Sequence, residues 1–142
     1  MIDVKNFSTG VKTILVDAVF CFIIEKGEGK FDIFQDMYNL LETYPNKKII
    51  LTGASDDKRE LYGLDNMPYE VFTLKHNPEK TDGEYYKILL NSHNLKKDDV
   101  IYFEHDVNAV KSAQSVGINT YHYDNEKKDL ESLKQFFDEN LK

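Results

Sequence analysis

Five short, β-rich apolar runs alternate along the chain with amphipathic stretches, and that alternation constrains the fold more than any other feature. The runs are KTILVDA (12–18), KKIILTG (47–53), YEVFTL (69–74), DVIYFE (99–104) and INTYHY (118–123), each about the length of a strand. Between them lie FDIFQDMYNLLETY (31–44), SDDKRELYG (55–63), DGEYYKILLNSHN (82–94), DVNAVKSAQSVG (106–117) and EKKDLESLKQFFDENL (126–141). Phe31, Ile33, Phe34, Met37, Leu40 and Leu41 share the spacing of one helical face, and Leu130, Leu133, Phe136, Phe137 and Leu141 repeat it. Strands alternating with helices imply right-handed crossovers and a mostly parallel sheet covered on both faces. The expectation is a single Rossmann-like α/β domain over residues 1–142, with three αβα layers and a five-stranded sheet. At 142 residues the chain is long enough for one such core.

In an open sheet of this kind the ligand crevice lies at the carboxyl ends of the strands, where the strand order reverses. Polar residues that close apolar strands are therefore the candidates. Asp17 interrupts TILVDAVF, Thr52 closes IIL before Gly53, and Glu104 closes VIYF before His105. Local readings stand beside this one: Thr52 can bond a loop amide, and Asp106 can cap the helix it opens. Acid and hydroxyl groups at three strand ends point jointly to one site.

The block EKTDGEYYKILLNSHNLKKDDVIYFEHDVNAVKSAQSVGINTYHY, residues 79–123, carries a Lys-x-Asp-x-Glu start, a helix, an apolar strand closed by acid, and a second helix before a short strand. With Asp17 and Thr52 upstream, and Lys80 preceding Glu104 by 24 positions, nearly the whole chain resembles the haloacid dehalogenase-like (HAD) superfamily, most of whose members are phosphatases. The resemblance implies that Asp17 is a nucleophile and metal ligand and that Thr52 and the Gly53 amide hold a phosphoryl group. Lys80 would neutralise nucleophile and phosphate. Glu104 and the backbone carbonyl of Val19 would complete a Mg²⁺ site. A carboxylate attacking phosphorus divides one difficult hydrolysis into two displacements, and a hard cation, an ammonium and hydroxyl or amide donors offset the charge.

The sequence departs from that pattern where the chemistry is most demanding. The second Asp of the first motif, which protonates the leaving group and activates water, is Val19, and losing such an acid–base group typically costs about 10²–10⁴ in rate. The next two positions are Phe20 and Cys21, and the acidic pair of the fourth motif is Glu104–His105, with Ala109 where some members carry a further acid. Imidazole suits magnesium poorly, which weakens the metal site, although Glu104 and Asp106 retain some capacity. The expectation is a pseudoenzyme that binds phosphate, metal or a partner, with a slow Mg²⁺-dependent phosphatase-like hydrolase as the alternative. His105 is read as an exposed loop residue, His76, His93 and His122 as surface or packing residues, and Cys21 as a buried small hydrophobe.

Only 34 residues lie between Asp17 and Thr52, too few for a large cap domain, and EKGEGK (25–30) reads as the turn of a short hairpin flap. An open site of this kind fits a bulky phosphorylated substrate or a protein partner. A net charge of −7 argues against nucleic acid or an anionic membrane as partner. The single cysteine rules out an intrachain disulfide. MIDVKNFSTG lacks the features of a signal peptide and no apolar run is long enough to span a bilayer, so the expected location is cytoplasmic. A phosphorylated receiver domain is set aside because no lysine ends the last strand, and a dinucleotide-binding fold because no Gly-x-Gly-x-x-Gly follows the first.

Overall fold

The computed structural model describes residues 11–141; the stretch 1–10, on which the signal-peptide expectation rests, lies outside the described residues. The five apolar runs form the strands of one parallel sheet: β1 (Thr13–Asp17), β4 (Lys48–Thr52), β5 (Glu70–Thr73), β6 (Val100–Glu104) and β7 (Asn119–His122), in the order β5-β4-β1-β6-β7. The chain runs outward from β1 to β4 and β5, then returns across the sheet to β6 on the other side of β1. The order therefore reverses between β1 and β6, and the carboxyl ends of those two strands carry Asp17 and Glu104.

The central strands are buried along their whole length, and their side chains divide between two cores by the alternation of the pleat. Ile14, Val16, Ile50, Ile101 and Phe103 pack on one face against Met37 and Leu41 of α1 (Gln35–Glu42) and Leu133 and Phe137 of α5 (Leu130–Asn140). Leu15, Ile49, Leu51 and Tyr102 pack on the other against Tyr85, Tyr86 and Leu89 of α3 (Gly83–Ser92) and Ala113 of α4 (Val107–Ser115). Each fully buried large side chain contributes about 1.5–3 kcal/mol, so these two layers hold the strand ends in place.

The amphipathic stretches become helices later than their patterns begin. The helix expected from Phe31 starts at Gln35, because Phe31–Ile33 forms β3, paired antiparallel with β2 (Ile23–Glu25). Phe31 and Ile33 satisfy a period of two as well as a helical face, and the hairpin takes them. Its turn uses Gly27 and Gly29 at φ 95° and 69°, as the EKGEGK reading requires. The 55–63 stretch condenses to a 3₁₀ turn and the single-turn α2 (Arg59–Tyr62), ended by left-handed Gly63. The last helix begins at Leu130, after Asp129 caps it through Ser132.

Asp106 caps α4 through the amides of Asn108 and Ala109, at 2.8 and 3.4 Å. The local reading of this residue holds, and the cap occupies the carboxylate that was expected to supply metal-binding capacity. Asp106→Ala is expected to lower stability by about 1 kcal/mol. Thermal unfolding should show a midpoint roughly 3–5 °C lower.

Candidate functional site

Asp17 stands at the end of β1 with 2% of its surface exposed, and both of its oxygens are engaged. Lys80, in the turn before α3, donates from Nζ to Asp17 Oδ1 at 2.7 Å and lies 2.8 Å from Glu104 Oε1. The same Nζ approaches the carbonyl of Leu51 at 3.3 Å. One ammonium thus bridges carboxylates from the two strands at the reversal of strand order. The convergence expected of Asp17, Lys80 and Glu104 is present, and Val19, Thr52 and Gly53 line the same cavity of about 320 Å³.

The other oxygens of the two carboxylates meet His105. Its Nδ1 donates to Asp17 Oδ2 at 2.5 Å and lies 3.3 Å from Glu104 Oε2, and its backbone N–H reaches Asp17 Oδ2 at 3.2 Å. The reading of His105 as an exposed loop residue is therefore corrected: only a quarter of its side chain is exposed, and its ring enters the site. Hydrogen bonds to the two neighbouring acids outweigh its desolvation, because the chain turns directly from β6 into α4 and aims position 105 back across β1. The carbonyl of His105 accepts from His122 Nε2 at 2.9 Å, which steadies that turn. The available signal was its place immediately after the strand-ending Glu104.

Opposed charges govern the ionisation of this quartet. Burial alone would raise the Asp17 carboxyl, but the Lys80 ammonium and the hydrogen bond from His105 hold it well below the usual carboxylate range. Burial would likewise lower Lys80, yet Asp17 and Glu104 keep it well above the usual lysine value. For His105, desolvation is outweighed by the hydrogen bonds to Asp17 and Glu104, which lift it to about 10. The Asp17 carboxylate accordingly faces two cations, Lys80 and His105, near neutral pH.

Around the quartet the supporting groups are local and short-ranged. Tyr102 donates its hydroxyl to Glu104 Oε1, and the amide of Asp106 donates to Oε2 at 3.0 Å. Thr52 Oγ1 accepts from the amide of Ala54 at 3.1 Å, the loop-amide bond expected of it, which leaves the hydroxyl proton free to donate into the cavity. Cys21 is buried as expected, with Sγ donating to Asp17 Oδ2 at 3.2 Å; burial and the neighbouring carboxylates push its thiol well above the ordinary range, which disfavours the thiolate. His93 pairs with Glu70 at 2.6 Å, away from the site. His76 is a surface residue as expected, with half of its side chain exposed; paired with Glu79 at 2.7 Å, it also lies beside Gly53 on the cavity wall.

The donor set decides which cation the site could hold. Magnesium takes hard oxygen ligands in octahedral geometry, and the expected set was Asp17, the carbonyl of Val19 and Glu104. Here a ring nitrogen stands between the carboxylates, with a thiol beside it, so the residues in this arrangement do not fit magnesium. Asp17, Cys21 and His105 do present an oxygen, a sulfur and a nitrogen within 4.8 Å of one another, a mixture that suits zinc better. Tetrahedral ligands about 2.0 Å from one ion stand roughly 3.3 Å apart. The 2.5 Å between Asp17 Oδ2 and His105 Nδ1 is the spacing of a hydrogen bond instead.

No family profile and no curated protein sequence matches this chain. Solved structures do. A HAD family enzyme from Bacteroides thetaiotaomicron, crystallised as an aspartate-to-alanine mutant with magnesium and inorganic phosphate, superposes with a TM-score of 0.58 at 12% identity, covering 79% of this chain and 93% of that one. An uncharacterised protein from Corynebacterium glutamicum gives 0.61 at 14% identity, over 90% of this chain and 96% of that one. The core domain of a protein assigned as a phosphoglycolate phosphatase from Streptococcus pneumoniae gives 0.57 at 13% identity, over 90% and 96%. The fold is HAD-like, and its sheet carries no large cap between β1 and β4. Among the described residues no helix is long and apolar enough to cross a membrane.

Proposed function

We propose that this HAD-like fold serves as a binding domain for a phosphorylated ligand and has given up hydrolysis, with Lys80 and His105 neutralising the two carboxylates that would otherwise share a divalent cation. The observation that carries the reading is the position of His105 Nδ1, between Asp17 Oδ2 and Glu104 Oε2. An imidazolium there removes the lone pairs a nucleophilic carboxylate would use. Val19 offers no group to protonate a leaving oxygen or to activate water. The Thr52 hydroxyl remains as a donor toward the cavity, and the Lys80 ammonium, whose protons meet Asp17, Glu104 and Leu51, adds positive charge at its floor for an oxyanion.

The bound phosphoryl group would rest over Thr52 and Gly53, with Lys80 beneath it and His76 on the wall. Titration with inorganic phosphate in the presence of EDTA, followed by amide chemical shifts, is expected to perturb Gly53 and His105, with no gain in affinity when excess Mg²⁺ replaces the chelator. Acetyl phosphate and p-nitrophenyl phosphate are expected to turn over at the rate of buffer alone. Turnover that disappears in Asp17→Asn would overturn the binding reading. It would favour the slow hydrolase, which the Lys80 ammonium 2.7 Å from Asp17 Oδ1 supports by favouring the ionised carboxylate.

A further inference from the structure

The cavity has a polar floor, and at its mouth Phe20 stands among the exposed polar side chains of His76, Glu79, Thr81 and Asp106, held against its own conformational preference. Phe20 has φ 74°, in the left-handed region that glycine enters freely and an aromatic residue only under strain. Burial does not offset that cost, since 45% of Phe20 remains exposed. The ring stands edge-on to His105 at 5.6 Å, and the backbone N–H of Phe20 is pinned to the carbonyl of Ile23 at 2.7 Å. A second ring faces the same cavity from α2: Tyr62, itself braced edge-on by Phe31 of the hairpin at 5.0 Å. Strain kept by a ring that remains nearly half exposed at the rim of the site is an observation that motivates a role in recognition.

We infer that Phe20 and Tyr62 form an aromatic clamp that selects phosphate monoesters whose alcohol carries a planar apolar ring close to phosphorus. This inference rests on the phosphate-binding reading of the site and adds the class of ligand. With the phosphoryl group over Thr52 and Lys80, the ester oxygen points outward to the mouth, where the next atoms of the ligand meet the two rings. A cavity of about 320 Å³ lies at the small end of ligand sites, enough for a phosphoryl group and one ring. A simple alkyl phosphate leaves the rings unpaired and gains nothing from them.

The test compares inorganic phosphate, methyl phosphate and phenyl phosphate on the intact chain and on Phe20→Gly, by calorimetry in EDTA. Phenyl phosphate is expected to bind the intact chain roughly 3- to 10-fold more tightly than methyl phosphate, the size of one aromatic contact. Phe20→Gly is expected to melt no lower than the parent, because glycine relieves the positive φ, to bind inorganic phosphate within twofold of it, and to lose the phenyl preference. Phe20→Tyr should keep the preference. A phosphotyrosyl pentapeptide that binds as well as phenyl phosphate would assign the ring to a protein side chain, and one that binds more weakly would assign it to a small molecule; both outcomes support the clamp. Equal binding of phenyl and methyl phosphate, or a preference that persists in a folded Phe20→Gly, overturns it while leaving the phosphate reading intact. Failure of inorganic phosphate to bind at all overturns the reading of the site beneath it.

Discussion

Lys80→Met is expected to destabilise the protein by about 3–5 kcal/mol, the cost of removing one partner from a buried charge network. The Lys80 side chain is 14% exposed, and Asp17 and Glu104, which it bridges at 2.7 and 2.8 Å, are 3% and 2% exposed. Without the ammonium those two buried side chains confront each other with His105 between their outer oxygens. Urea unfolding at pH 7 should show the loss as a lower midpoint with an unchanged slope. Removing the opposing charge at the same time, in Lys80→Met with Glu104→Gln, should recover a substantial part of it, because the cost lies in the unpaired charge and not in the lost methylenes. A single substitution that unfolds at the parent's urea concentration would mean that water reaches the carboxylates freely, which would contradict the burial of the pair.

Raising the pH from 7 to 9 is expected to lower stability by about 1–2 kcal/mol through His105 alone. Its pKa is lifted from the ordinary histidine value of 6.5 to about 10 by hydrogen bonds to Asp17 and Glu104 that outweigh its desolvation. A folded value above the unfolded one means that the stabilisation is complete below pH 6.5 and fades as the pH climbs toward 10, since over that interval the unfolded chain has released a proton the native state retains. The ceiling is about 1.4 kcal/mol per pH unit, reduced here because a quarter of the ring meets solvent. The interval stops at 9 because Cys21 and the buried tyrosines, also raised by desolvation, begin to add their own losses above it. Asp17 acts at the other extreme: its folded value is depressed, so its contribution is full above the unfolded value of 3.8 and is lost as the pH falls below it. Denaturation measured at pH 7 and 9 on the parent and on His105→Asn checks the claim. The variant should be less stable at pH 7 and nearly flat between the two; a parent that is flat over the interval would show that the imidazole is not held by the carboxylates.

Much of the site was legible in the letters. Asp17, Thr52 and Glu104 stand out because each ends an apolar run, and a parallel sheet places such ends on one rim. Lys80 was named only through the resemblance to the HAD superfamily, and its bridge between the strands agrees with that placement. His105 was misjudged because its role depends on the direction of a single side chain in a two-residue turn. Neither periodicity nor composition reports that direction. His76 remains the surface residue it was read as, and reaches the cavity wall through left-handed backbone at Lys75 and His76 that a sequence of this kind does not announce.

The order of elements and the rim on which the polar residues gather follow from local patterns: short continuous apolar runs bury both faces, amphipathic stretches cover them, and right-handed crossovers leave few ways to connect the parts. Those patterns repeat within a handful of residues, so the chain carries them whatever its neighbours do. Packing decided the rest. Whether Phe31 joins a helix or a hairpin, whether Phe20 accepts a left-handed backbone, and whether an imidazolium fills the space between two carboxylates are each settled by contacts between residues far apart in the chain. Such contacts act through distances of a few ångströms that come into being only when β1 and β6 lie side by side.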